Sequence, residues 1–144
     1  MELLIIVFLL GGLFLGWSLG ANDAANVFGT AVGTRMVSFK TAAIVCSLFV
    51  ILGAVISGAG TTETLGKLGA INALPGAFAA CIAAGISVYV MTKVGLPVST
   101  TQAIVGAIIG WNLYTGSSTN LQVLFTIVMT WILCPIIAGV IAMG

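Results

Sequence analysis

The chain has 144 residues, of which 60% are hydrophobic and 5% charged, with a net charge of +1. An ordinary soluble domain carries about 25% charged residues, so this composition excludes a soluble globule and points to a polytopic membrane protein. Arg35, Lys40, Lys67 and Lys93 are too few and too scattered to form a basic patch for nucleic acid. Histidine is absent, and Cys46, Cys81 and Cys134 each sit alone in an apolar run. That argues against a disulfide framework, a transition-metal centre, cofactor chemistry or His-based catalysis.

Leu3 to Leu19 is the first candidate span, about 25 Å long as a helix and preceded by Glu2 rather than by a positive segment. It therefore reads as a span and not as a cleaved leader. Gly12, Gly16 and Gly20 recur every four residues, a G-x-x-x-G stripe that predicts close packing against another helix.

Residues 20–34 place Asn22, Asp23 and Asn26, with Thr30 and Thr34, among small residues. Gly20 and Asn22 predict a break in the helix, with Asn22 or Asp23 capping a new one. An ionisable side chain at membrane depth costs about 2.5–3.5 kcal/mol on insertion scales, and chains that keep one use it. Asp23 is thus the first candidate for an ion or solute site, against the plainer alternative of an interfacial cap.

Thr41 to Ser57 is the second span. Gly58 to Asn72, with Glu63 and Lys67, reads as a polar loop. Leu74 to Thr92 is the third span, opened by Pro75 at a tolerated first-turn position and closed by Lys93, which can snorkel to the interface. Pro97 biases Leu96 away from helical geometry, and Ser99 with Gln102 fits a capping box. A helix is expected from there to Trp111, about 18 Å long and suited to one arm of a re-entrant hairpin. A polar link to Asn120 follows, then a last span from Leu121 to Met143 with Pro135 inside it.

Placing Arg35 and Lys40 in the cytoplasm would put the N-terminus outside. The expectation is one all-α transmembrane domain over residues 1–144: a membrane helix bundle with discontinuous or re-entrant helices.

Two polar clusters therefore interrupt an apolar chain, Asn22/Asp23/Asn26 and Ser99/Thr100/Thr101/Gln102. Carboxylate, amide and hydroxyl oxygens suit a hard cation, and N–H groups at a helix start suit an oxyanion. Discontinuous helices at the midplane are a recurrent design of secondary transporters. No phosphate-binding G-x-x-x-x-G-K-[ST] loop is present, and a nucleophile at Ser99 would lack both a histidine and a G-x-S-x-G elbow around it, so an enzyme is not expected.

The stretches Gly20-Ala21-Asn22-Asp23-Ala24-Ala25-Asn26-Val27-Phe28-Gly29-Thr30-Ala31-Val32-Gly33-Thr34 and Pro97-Val98-Ser99-Thr100-Thr101-Gln102 to Gly106 resemble the inorganic phosphate transporter family, the Pit-type cation–phosphate symporters. Members of that family carry two related halves in inverted topology, and this chain shows the motif once, so it resembles the N-terminal half. The resemblance implies Na⁺- or H⁺-coupled phosphate uptake across the plasma or inner membrane. It makes Asp23, Asn22 and Asn26 cation ligands, with Na⁺ at Asp23 the one metal ion expected. Ser99, Thr100, Thr101 and Gln102 become phosphate ligands. The implied partners are phosphate, the coupling ion, the lipid bilayer and a second repeat or another copy of the chain. Sulfate transport and a non-transporting membrane subunit are the alternatives.

Overall fold

A computed structural model describes residues 2–69 and 74–143. Five helices follow one another: α1 (Glu2–Gly33), α2 (Phe39–Leu68), α3 (Leu74–Val94), α4 (Thr100–Thr115) and α5 (Leu121–Met143). The described residues are all-helical, and α1 from Ile5 onward, α2, α3 and α5 are long and apolar enough to cross a bilayer. α4, with 16 residues, extends only about 24 Å.

α3 is the central helix, packed between α1 and α4. Its buried face is Gly76, Ala80, Ala84, Gly85 and Val88, small residues about one turn apart. Lipid tails are as apolar as leucine, so helices associate in a membrane through close van der Waals approach, and small residues permit it. A Cβ on Gly85 would stand 2.7 Å from the Phe14 ring and 3.5 Å from Leu15 Cα, and one on Gly76 would stand 2.8 Å from Trp111 Nε1. Contacts between α1 and α3 advance together along both helices: Phe8 meets Phe78 with ring centroids 5.6 Å apart, Trp17 meets Tyr89 at 5.7 Å, and Asn22 meets Thr92. The two helices are therefore parallel.

α4 runs back along α3, bringing Trp111 to the start of α3. There the Asn120 N–H donates to the Leu68 carbonyl at 3.0 Å, tying the start of α5 to the end of α2. Leu68, Ala80, Val105, Ile108 and Ile127 form one buried cluster across α2, α3, α4 and α5. Asn112, fully buried, donates to Thr119 Oγ1 at 2.9 Å at the same end.

Three sequence expectations are corrected. The first helix does not break at Gly20: α1 runs unbroken to Gly33. The Asn22 side chain bonds to a different segment and leaves its own backbone in the helical ladder. The discontinuity lies at Gly95–Ser99 instead, where Gly95 has φ +80° and α4 begins anew. Second, residues 58–68 are helix and not loop; 70–72 of that expected loop lie outside the described residues. The hydroxyls of Thr62 and Thr64 donate to the Gly58 and Gly60 carbonyls at 3.0 Å, and Lys67 pairs with Glu63 one turn away. Polar side chains thus satisfy themselves along the helix. Third, among the described residues nothing lies within 4 Å of a Cβ built at Gly12, Gly16 or Gly20; the buried positions of this part of α1 are Gly11, Ser18 and Asn22 instead.

α4 also runs four residues past the expected end at Trp111 and closes at Gly116, whose φ of +70° suits glycine.

Candidate functional site

The α3–α4 connection is non-helical over residues 96–99, with Ser99 in extended geometry, consistent with the bias that Pro97 places on Leu96. Ser99 is the N-cap of α4, and its Oγ accepts from the Gln102 N–H at 3.3 Å. That Ser–Gln signature correctly marks the start of the helix. The Ala103 N–H is taken by the Ser99 carbonyl. The first N–H groups of any helix have no intrahelical acceptor, so the start of α4 presents those of Thr100 and Thr101 together with the positive end of the helix dipole.

This turn packs against α1 at the level of Asn22. Asn22 is 4% exposed, and its Nδ2 donates to the Val98 carbonyl at 2.7 Å and to Asp23 Oδ1 at 2.9 Å. The two donor hydrogens of one amide are thereby used on two elements. Thr100, 6% exposed, donates through Oγ1 to the same Asp23 oxygen at 3.3 Å. The Thr92 hydroxyl donates to the Val88 carbonyl at 2.8 Å and stands 3.4 Å from Asn22 Oδ1. Because Thr92 has one proton and the 2.8 Å partner holds it, Asn22 Oδ1 retains acceptor capacity.

The two polar stretches, 77 residues apart in sequence at Asp23 and Thr100, therefore meet at one place. Of the sequence-predicted residues, Asn22, Asp23 and Thr100 are in direct contact, and Ser99 caps the helix beside them. Asn26, Ser99, Thr101 and Gln102 are exposed, and none of the four bonds to Asp23. Asn26 lies one turn beyond Asn22 on the same face of α1. Thr92 was missed: its signal was only a hydroxyl at the end of an apolar span, overshadowed by Lys93.

Asp23 is partly buried, and among the described residues the ion pair is Lys67 with Glu63, away from it. Among the described residues Asp23 has no cationic side chain in an ion pair with it. Its Oδ1 takes both bonds, and Oδ2 has no partner among the described residues. A carboxylate oxygen, an amide oxygen and the backbone donors of a helix start thus lie together at a break between helices.

Replacing Asn22 with Leu removes both amide bonds and leaves the Val98 carbonyl unpaired, which costs about 1–3 kcal/mol for a buried group. Asn22→Leu is expected to unfold earlier by that amount in thermal unfolding of the micelle-embedded protein. Unfolding coincident with the parent would show that the amide does not hold the turn to α1.

Residues 19–144 match the family model described as the phosphate transporter family. Proteins from Pyrococcus furiosus and Thermococcus kodakarensis, both carrying the name "Putative phosphate permease", are each 36% identical over 96% of this chain and 36% of their own length. A "Sodium-dependent phosphate transporter" of Plasmodium falciparum is 36% identical over 88% of this chain and 20% of its own length. The chain thus spans about a third of the length of the first two relatives. No solved structure matches. With its four long apolar helices and the paired polar stretches inside the matched region, the chain is a multi-pass membrane protein and belongs to the phosphate transporter family.

Proposed function

We propose that the chain is one repeat of a secondary transporter that moves inorganic phosphate by symport with a cation, working with a second repeat or another copy of itself. The observation that carries this is Asp23: a partly buried carboxylate in no ion pair among the described residues, touching the start of α4 through Thr100. Asp23, Asn22 and Asn26 supply cation ligands. Ser99, Thr100, Thr101 and Gln102 supply hydroxyl, amide and helix-start donors to phosphate.

The arrangement gives a physical reason for coupling. Two like unit charges 4 Å apart repel by about 4 kcal/mol at an effective dielectric of 20. Phosphate bound at the α4 start faces that repulsion from Asp23 unless a cation sits between them. The cation in turn gains from both anions, so phosphate loads only where the cation is present, and each tightens the binding of the other. Alternating access then carries the loaded pair across. The name of the Plasmodium relative favours Na⁺ over H⁺.

The test is ³²P-phosphate uptake into proteoliposomes, with and without an inward Na⁺ gradient, for the chain alone and for the chain co-reconstituted with the remaining portion of a family member. Gradient-driven phosphate uptake in either preparation supports the reading, and uptake confined to the second identifies the chain as a half. Gradient-driven uptake of ³⁵S-sulfate in preference to phosphate, or no gradient dependence from folded protein in both, overturns it.

A further inference from the structure

The corner between α3 and α4 meets α1 at Asn22 and Asp23. α1 runs on from there to Gly33, about 15 Å further. Along that stretch Asn26 and Thr30 are exposed, and a Cβ at Gly29 or Gly33 would meet nothing within 4 Å among the described residues. At 3.6 residues per turn, Asn22, Asp23, Asn26 and Thr30 fall within about 100° of arc around the helix. The far side of α1, with Ala21, Ala25, Phe28 and Val32, borders a groove against α2. The polar face of the Asp23 cluster thus continues past the corner, on the side of α1 turned away from α2.

This stretch is at membrane depth. α2 returns beside it, with Phe39, Ala42, Ala43 and Cys46 bordering the same groove. On that part of α2, Ile44, Leu48 and Phe49 are exposed, an apolar surface suited to lipid. An amide or hydroxyl turned to hydrocarbon without a partner is costly. Thr34, Ser47 and Thr92 avoid that cost by donating to the carbonyl four residues back. The Asn26 amide and the Thr30 hydroxyl make no hydrogen bond among the described residues. Polar side chains kept at this depth face a protein interior or a water-filled cavity, and they mark ion pathways.

We propose that the Asn26–Thr30 face of α1, standing over the α3–α4 corner, lines a water-filled vestibule. Through it, hydrated inorganic ions reach Asp23 from the side of the α1–α2 connection. Thr30 lines the outer part, and Asn26 is the last group passed before Asp23. Arg35, in that connection, is exposed and in no ion pair among the described residues, and a positive rim raises the local concentration of anions. Hydration of this face rests on its geometry alone; that the water carries phosphate and a cation rests on the transport reading above.

The test is cysteine labelling of the full chain in proteoliposomes, alone and co-reconstituted with the remaining portion of a family member. Cys46, Cys81 and Cys134 are first replaced by alanine. Asn26→Cys, Thr30→Cys, Leu48→Cys and Met36→Cys are then treated with a membrane-impermeant cationic methanethiosulfonate, and labelling is read by mass. Leu48, 57% exposed on the side of α2 opposite the groove, reports lipid contact, and Met36, 81% exposed in the α1–α2 connection, reports open water. The thiolate is the reacting form and apolar surroundings suppress it, so Asn26→Cys and Thr30→Cys are expected to label at least about tenfold faster than Leu48→Cys, and close to Met36→Cys. In a preparation that takes up phosphate, the fixed positive charge left on Thr30→Cys is expected to lower Na⁺-driven uptake about tenfold or more. Fast labelling without uptake in either preparation keeps the hydrated vestibule while the transport reading fails. Labelling of both variants at the Leu48→Cys rate, or loss of their fast labelling on co-reconstitution, overturns the vestibule, since lipid or a dry protein surface then covers the face. Undiminished uptake by fully labelled Thr30→Cys overturns it as the path.

Discussion

Asp23→Asn is expected to lower Na⁺-driven phosphate uptake by about 100-fold, since a hydrogen bond to a charged group is worth about 1.5–3 kcal/mol and each 1.4 kcal/mol is about tenfold. The substitution isolates charge from shape. The Asn oxygen can still accept from Asn22 Nδ2 and Thr100 Oγ1, the two bonds that Asp23 Oδ1 holds. Helix content and thermal stability should therefore match the parent, while the cation loses the protein counter-charge that the described residues offer at this place. Uptake in proteoliposomes and circular dichroism of the same preparation check both halves of the expectation. Uptake within about twofold of the parent, in a transporting preparation, would remove Asp23 from the cation site.

Gly85→Leu has the largest expected effect on the fold. Even a Cβ at this position would stand 2.7 and 2.8 Å from two carbons of the Phe14 ring, with the α1 backbone at Leu15 Cα 3.5 Å away. The ring is already in stacking contact with Trp17, so relief has to come from separating α1 and α3. Overpacking costs typically 1–3 kcal/mol, and a loss of about 3 kcal/mol is expected here from unfolding in micelles. The separation also draws Asn22 away from Val98, so uptake should fall with stability. Gly12→Leu is the control: nothing lies within 4 Å of its Cβ position, and its stability should stay within about 0.5 kcal/mol of the parent. Equal stability of the two variants would show that the α1–α3 contact is not the close one described.

Features encoded by neighbours in sequence were legible from the sequence. Ser99 and Gln102 specified where α4 starts because a capping box is complete within four residues. Pro97 marked the extended turn, and uninterrupted apolar runs marked α3 and α5. Features settled by partners far along the chain were not. Asn22 looked like a helix-breaker because its amide could bond locally; its partner, the Val98 carbonyl, is 76 residues away. The threonines of residues 58–68 looked like loop because their hydroxyls are polar, but hydroxyls that bond back along a helix are compatible with it. The glycine repeat at 12, 16 and 20 has a perfect spacing and no neighbour within 4 Å of its Cβ positions among the described residues, while Gly11, outside that repeat, lies against Phe78. Spacing identifies a face that permits approach; the partner decides which face is used. For the site, the two polar stretches stood out by residue type, but the contact of Asp23 with Thr100 and the place of Thr92 became visible only when α1, α3 and the start of α4 were seen side by side.

The return of α4 beside α3 has a consequence of parity. α1 points one way, α2 the other, α3 with α1, α4 against it, and α5 with α1 again. Whether the α3–α4 pair crosses the bilayer fully or turns within it, the number of net crossings is odd, and Glu2 and Met143 finish at opposite ends of the bundle. A second unit of the same build, joined after Met143 by a short link, would start from the far side and thread the bilayer upside down relative to the first. The two Asp23-type clusters would then be related by an axis lying in the membrane plane. Inversion between two such units would need no separate instruction, because an odd number of crossings supplies it.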